Sequence, residues 1–164
     1  MLHFVIFTAT IFNKEQITMT SFNTATWMRD MFDTIKDRTL GEICMPGSHD
    51  SAMSIATSCT DLGAECNTRT QDRNIADQLA DGVRYFDIRA LIGRGSDNGK
   101  FRTGHFGDTG WPLGYQGCFG EQMSEVLSAV AGFVKSHPSE FIILGIMFKT
   151  PPQPPRLRHA NCKL

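Results

Sequence analysis

Val83-Arg84-Tyr85-Phe86-Asp87-Ile88-Arg89-Ala90-Leu91 reads as a β-strand, because it is rich in β-branched and aromatic residues. Asp87 and Arg89 stand two apart in it, so they share one face. Upstream, Leu40 to Met45 is a short apolar run ended by Pro46-Gly47, which predicts a buried strand entering a tight turn. That turn continues as Ser48-His49-Asp50-Ser51 and sets a histidine beside a carboxylate. Downstream, Lys100 to Phe106 predicts a brief strand carrying His105, which glycines flank at 104 and 107. Phe141 to Phe148 is almost continuously apolar and predicts a strand buried on both faces.

Helical patterns lie between these strands. Trp27, Met28, Met31, Phe32 and Ile35 fall at helical spacing and predict a helix over 24–37, capped by Thr24 or Thr26, with Arg29 and Asp33 four apart. Asn74 predicts the start of a short helix, with Asp77 three residues on and Gly82 at its left-handed stop. Met123, Val126, Leu127, Val130, Phe133 and Val134 form an apolar stripe, predicting a helix over 121–136 that Pro138 ends. Residues 54–73 and 93–99 read as loops, and 108–120 as an irregular surface loop. Strands alternating with helices imply a parallel α/β sheet. The polar groups gather at strand ends, where such sheets and barrels build their sites.

The composition excludes several classes. With 41% apolar and 20% charged residues, the 164-residue chain has the make-up of a globular domain. A net charge of −1 argues against a basic nucleic-acid surface. No stretch has the roughly 20 apolar residues of a membrane span. Residues 1–24 read as a lead-in, either disordered or a weak signal peptide. Residues 150–164, with four prolines in five positions, read as a disordered tail. Five cysteines lack zinc spacing. Cys59 and Cys66 are expected to close a small disulfide if the protein is secreted, and Cys44 to be a buried thiol. Compartment stays open between cytoplasmic, peripheral membrane and secreted, with the first two favoured.

His49, His105, Asp50, Asp87 and Arg89 together suit metal-free phosphodiester chemistry. One imidazole takes a proton, the other gives one, and the guanidinium holds the phosphate. A serine-hydrolase reading of Ser48 and Ser51 fails for want of a Gly-x-Ser-x-Gly elbow.

The same residues resemble the X region of phosphatidylinositol-specific phospholipase C. The resemblance runs over about residues 25–149. It rests on Ile43 to Ser51, on Gln78-Leu79 with Gly82 to Arg89, on His105, and on Phe133 followed by Pro138 to Leu144. It implies an incomplete TIM-type (β/α) barrel, roughly the N-terminal half, since four core strands are about half of eight. It further implies a phosphoric diester hydrolase or lyase acting on phosphatidylinositol-like lipid at a membrane surface. In that implied scheme His49 is the base, His105 the acid, and Arg89 the phosphate ligand. Asp50 pairs with His105, Asp87 orients Arg89, and Lys149 touches substrate. Arg89 stands where calcium-dependent relatives carry a carboxylate, so neither metal nor cofactor is expected. The aspartate that orients the base histidine in the family is expected to lie in the missing half. The alternative is a catalytically inactive X-domain fragment that serves as a phosphate-binding or interaction module. Oligomeric state is left open.

Overall fold

A computed structural model describes residues 22–93 and 99–148. Residues 1–21 of the expected 1–24 lead-in, 94–98 of the expected loop, Lys149 and the Pro-rich tail lie outside the described residues.

The expected first helix is broken. Asn23 caps a 3-10 turn by accepting the Ala25 N–H, α1 is Trp27–Asp30, and α2 is Phe32–Ile35. Met31, between them, leaves helical geometry at φ −101° and ψ 11°. Arg29 therefore pairs with Asp30, and Asp33 with Lys36. Trp27 and Met28 are buried, but Met31 and Phe32 face outward.

The expected strand over 40–45 does not form. Thr39 and Glu42 make a capping pair: the Thr39 N–H and Oγ1 both donate to Glu42 Oε2 at 2.8 Å. Leu40–Glu42 is wound into a 3-10 turn instead. Cys44 is exposed rather than buried. The strand that does form, β1, is only Gly47–Ser48. Next come α3 (Glu65–Thr68) and α4 (Ile75–Ala80). Asn74 caps α4 by accepting the Asp77 N–H at 2.9 Å, and Gly82 follows at φ +100°.

β2 (Tyr85–Ile92) is the central strand. It pairs in parallel with β1 and with β5 (Ile143–Phe148), and antiparallel with β3 (Phe101–Asp108). The anticipated loop over 108–120 is half strand: β4 (Tyr115–Gln122) returns antiparallel to β3. Its glycines permit close approach. A Cβ on Gly120 would lie 2.5 Å from the Ala52 carbonyl, and one on Gly117 would collide with that of His105. The sheet is thus a mixed, curled half-barrel and not wholly parallel.

α5 (Met123–Ser136) follows β4. The core lies between the sheet and helices α4 and α5. Phe86, Ile88 and Ala90 of β2 meet Ile75 and Leu79 of α4 and Met123 and Val126 of α5. Only part of the α5 stripe is used, for Leu127 and Val134 are exposed. β5 is not buried on both faces, since Met147 and Phe148 are exposed and its described pairing is to β2 alone. Among the described residues no helix is long and apolar enough to cross a membrane.

One buried ion pair ties these layers together. Arg84 and Glu140 have side chains 0% and 1% exposed and meet at 2.8 Å. Arg84 also donates to the carbonyls of Leu79, Val83 and Ala25. Its guanidinium stacks 4.7 Å from the Phe133 ring centroid. Glu140 accepts the Arg29 N–H at 3.1 Å. Glu140→Ala would strand a buried cation and is expected to cost about 3–5 kcal/mol in denaturant melts. Arg84→Met combined with Glu140→Leu should recover most of that loss.

Candidate functional site

The site begins with strand parity. Arg84, Phe86, Ile88 and Ala90 are buried on the helix side of β2, which turns Tyr85, Asp87 and Arg89 to the concave side. β1 brings the next group. Gly47 and Ser48 register with Tyr85 and Phe86, and the Ser51 N–H donates to the Asp87 carbonyl at 2.8 Å. His49 and Asp50 are thereby laid beside Asp87. Asp50 adopts φ +46°, a left-handed conformation that aspartate tolerates better than most side chains. β3 supplies His105, whose register partner on β4 is Cys118.

All five residues meet around the Asp50 carboxylate, whose side chain is fully buried. Arg89 Nε lies 2.6 Å from Asp50 Oδ1. His105 Nδ1 and His49 Nε2 lie 3.4 and 3.5 Å from Oδ2. The Arg89 contact is ionic, the two imidazole contacts are ionic only when those rings are protonated, and neither Asp50 oxygen has an aligned hydrogen-bond donor among the described residues. Burial pushes the Asp50 carboxyl above the usual aspartate range, Arg89, His105 and His49 pull it down in that order, and Asp87 raises it.

Asp50 keeps its expected contact with His105 and takes over Arg89, and Asp87 turns to His49. Asp87 does not serve as the orienter of Arg89; its Oδ2 lies 2.8 Å from His49 Nδ1. Asp50 holds Arg89 as well as His105. His49 therefore has a carboxylate partner, a role that the resemblance assigns to an aspartate of the missing half. Arg89 Nη2 sits 3.2 Å from His49 Nε2. A guanidinium can only donate, so Nε2 accepts and Nδ1 carries the proton given to Asp87. The imidazole is 68% exposed and borders an open cleft of about 390 Å³ lined by Gly47, Ser48, His49, Tyr85 and Asp87.

Ligand atoms of His49, Asp50 and Asp87 come within 4.8 Å of one another, a spacing that also suits a cation. Arg89 already brings a fixed positive charge to Asp50. Lys149, expected at the substrate, lies outside the described residues.

The wall beside His105 carries a disulfide, but not the expected one. Cys59 bonds Cys118, and Cys66 is an exposed free thiol. The reason is the path of residues 57–60 along β4. Thr57 and Phe119 exchange backbone hydrogen bonds, and the Thr60 N–H donates to the Gly117 carbonyl. Cys59 therefore faces Cys118, while Cys66 stands on α3. Spacing along the chain held no signal for that pairing.

Arg89→Met removes the strongest pull downward on Asp50, so the Asp50 carboxyl should titrate higher still by carboxyl ¹³C NMR. A raised folded-state pKa gives stability that is full below the ordinary aspartate value of about 3.9 and is lost as pH rises through the folded value. The stability deficit of Arg89→Met relative to the unmutated chain should shrink as pH is lowered toward about 4, read by melts across pH.

Comparison with known proteins fits this geometry. No protein-family model matches the chain. A PI-PLC X-box domain-containing protein of Dictyostelium discoideum is 27% identical over 130 residues, covering 72% of this chain. A PI-PLC X domain-containing protein of the same organism is 28% identical over 123 residues, covering 67% of it. The chain spans 16% and 19% of the length of these two relatives. Among solved structures it superposes on the phosphatidylinositol-specific phospholipase C of Staphylococcus aureus with a TM-score of 0.55 at 22% identity. That match covers 78% of this chain and 37% of the other. A single-site mutant of the same phospholipase gives a TM-score of 0.56 at 23% identity.

Proposed function

The chain is PI-PLC X-domain-like, and from that premise we propose that it carries the phosphate-handling half of a metal-independent phosphoric diester hydrolase or lyase site. The substrate in this reading is a phosphatidylinositol-like phospholipid at a membrane surface. The observation that supports it is the shared Asp50 carboxylate, which holds both imidazoles and Arg89 within 3.5 Å.

The chemistry follows from that arrangement. The neutral Nε2 of His49 takes the proton of the inositol 2-hydroxyl as its oxygen attacks phosphorus. The P–O bond to diacylglycerol breaks, and His105 gives its proton to the departing oxygen. A cyclic phosphodiester remains. Arg89 swings its fork from His49 Nε2 onto the phosphoryl oxygens and offsets the charge that builds there. Asp50 keeps Arg89 and His105 on the same side, and Asp87 holds the Nδ1–H tautomer of His49. The positive charge of Arg89 fills the role a calcium ion would play, so turnover is expected to survive EDTA. The cleft beside His49 is within the size range of small-ligand sites.

A second reading has its own support. His49 is largely exposed, and the chain spans just over a third of the superposed phospholipase. On that reading the chain binds a phosphate and turns nothing over.

Purified chain with a fluorogenic inositol phosphodiester separates the two. The enzymatic reading expects turnover in EDTA, with His49→Ala, His105→Ala and Arg89→Met each lowering kcat by about a hundredfold or more. Binding of inositol phosphate by calorimetry, lost in Arg89→Met but without turnover in any protein, would favour the second.

A further inference from the structure

We propose that Thr70, Gln71 and Gln78 are positioning residues that clamp the His49–Asp50 turn by its backbone and so aim the His49 imidazole. This rests on His49 being the base of the reaction proposed above.

Packing does not aim that ring, since its side chain is 68% exposed. Its direction comes from the Asp87 and Arg89 contacts and from the backbone that carries it. That backbone bends through a left-handed aspartate, a conformation that persists where neighbours over-determine it. Here the neighbours are side chains from 70–78. Three successive carbonyls are each taken by one of them. Gln71 Nε2 donates to His49 O at 2.7 Å, Thr70 Oγ1 to Asp50 O at 3.0 Å, and Gln78 Nε2 to Ser51 O at 2.8 Å.

The clamp is itself held. The Thr70 and Gln71 N–H groups both reach the Met53 carbonyl, at 3.2 and 3.3 Å. Gln78 is buried on α4, and its Nε2 also donates to Arg73 O at 2.6 Å. None of the three lines the cleft beside His49. They act on the peptide planes. Asp50 O accepts the Met53 N–H at 3.1 Å as well as the Thr70 hydroxyl, whereas His49 O and Ser51 O have the two glutamines as their described donors. Removing a side-chain donor loosens the planes and lets the imidazole move off Asp87.

The test uses the full chain and three variants. Thr70→Val keeps the shape and removes the donor; Thr70→Ser restores the hydroxyl. Gln71→Glu puts a carboxylate oxygen against a carbonyl. The readout is the pair of ring ¹⁵N shifts of His49, assigned with His49→Ala and taken well below each melting midpoint. The unmutated chain and Thr70→Ser should show the Nδ1-protonated tautomer. Thr70→Val and Gln71→Glu should show a mixture of tautomers. In turnover, kcat should fall about tenfold to a hundredfold in these two with KM held within about twofold. Identical His49 shifts in all the proteins would overturn the proposal, as would a Thr70→Ser chain behaving like Thr70→Val. If the unmutated chain turns nothing over, the reaction reading fails alone, and the ring shifts still decide the clamp.

Discussion

The parity of β2, on which the concave side of the sheet depends, is held in part by the buried contact between Arg84 and Glu140. A charged residue inside a fold is costly unless it is paired and its remaining donors are met, and Arg84 meets the carbonyls of Leu79, Val83 and Ala25. The pair joins the start of β2 to the lead of β5 and, through the Arg29 amide, to α1. It also sets parity. With Arg84 on the helix side, Asp87 and Arg89 must face the other way. A slip of one residue would bury both in the apolar layer. The hydrophobic set of Phe86, Ile88 and Ala90 supports the same register, so electrostatics and packing agree.

Much of the site was legible because its chemistry is local. Asp87 and Arg89 were placed on one face by strand alternation alone, and the structure has them so. His49 and Asp50 were expected on a Pro-Gly turn that closes a strand over 40–45; that strand does not form, and the two residues follow the two-residue β1 at Gly47–Ser48 instead. What alternation and turn chemistry do not carry is the partner of each group. Which carboxylate takes which partner is decided by how three strands pass one another, and Arg89 meets Asp50 in place of Asp87 for that reason. The residues over 70–78 were invisible for a related cause. Their donors act on carbonyls twenty or more positions away, and nothing in the local sequence announces such a reach.

The illegible parts of the fold share a physical origin. Residues 108–120 are glycine-rich, and glycine marks a loop unless a neighbouring backbone needs the space. Here the backbone at Ala52 and His105 needs it, so a strand forms. Thr39 and Glu42 wind a turn where apolar content suggested extension. β5 was taken as fully enclosed because its residues are apolar, but composition does not say whether a strand has a second neighbour.

The bond between Cys59 and Cys118 has an environmental consequence. It rivets the 57–60 segment to the strand position opposite His105, on the flank of the proposed acid. Glutathione-rich surroundings would open the rivet and leave that flank to hydrogen bonds alone, whereas oxidising ones would keep it closed. The stiffness of the acid's seat is therefore written partly in the redox poise of whatever fluid bathes the chain.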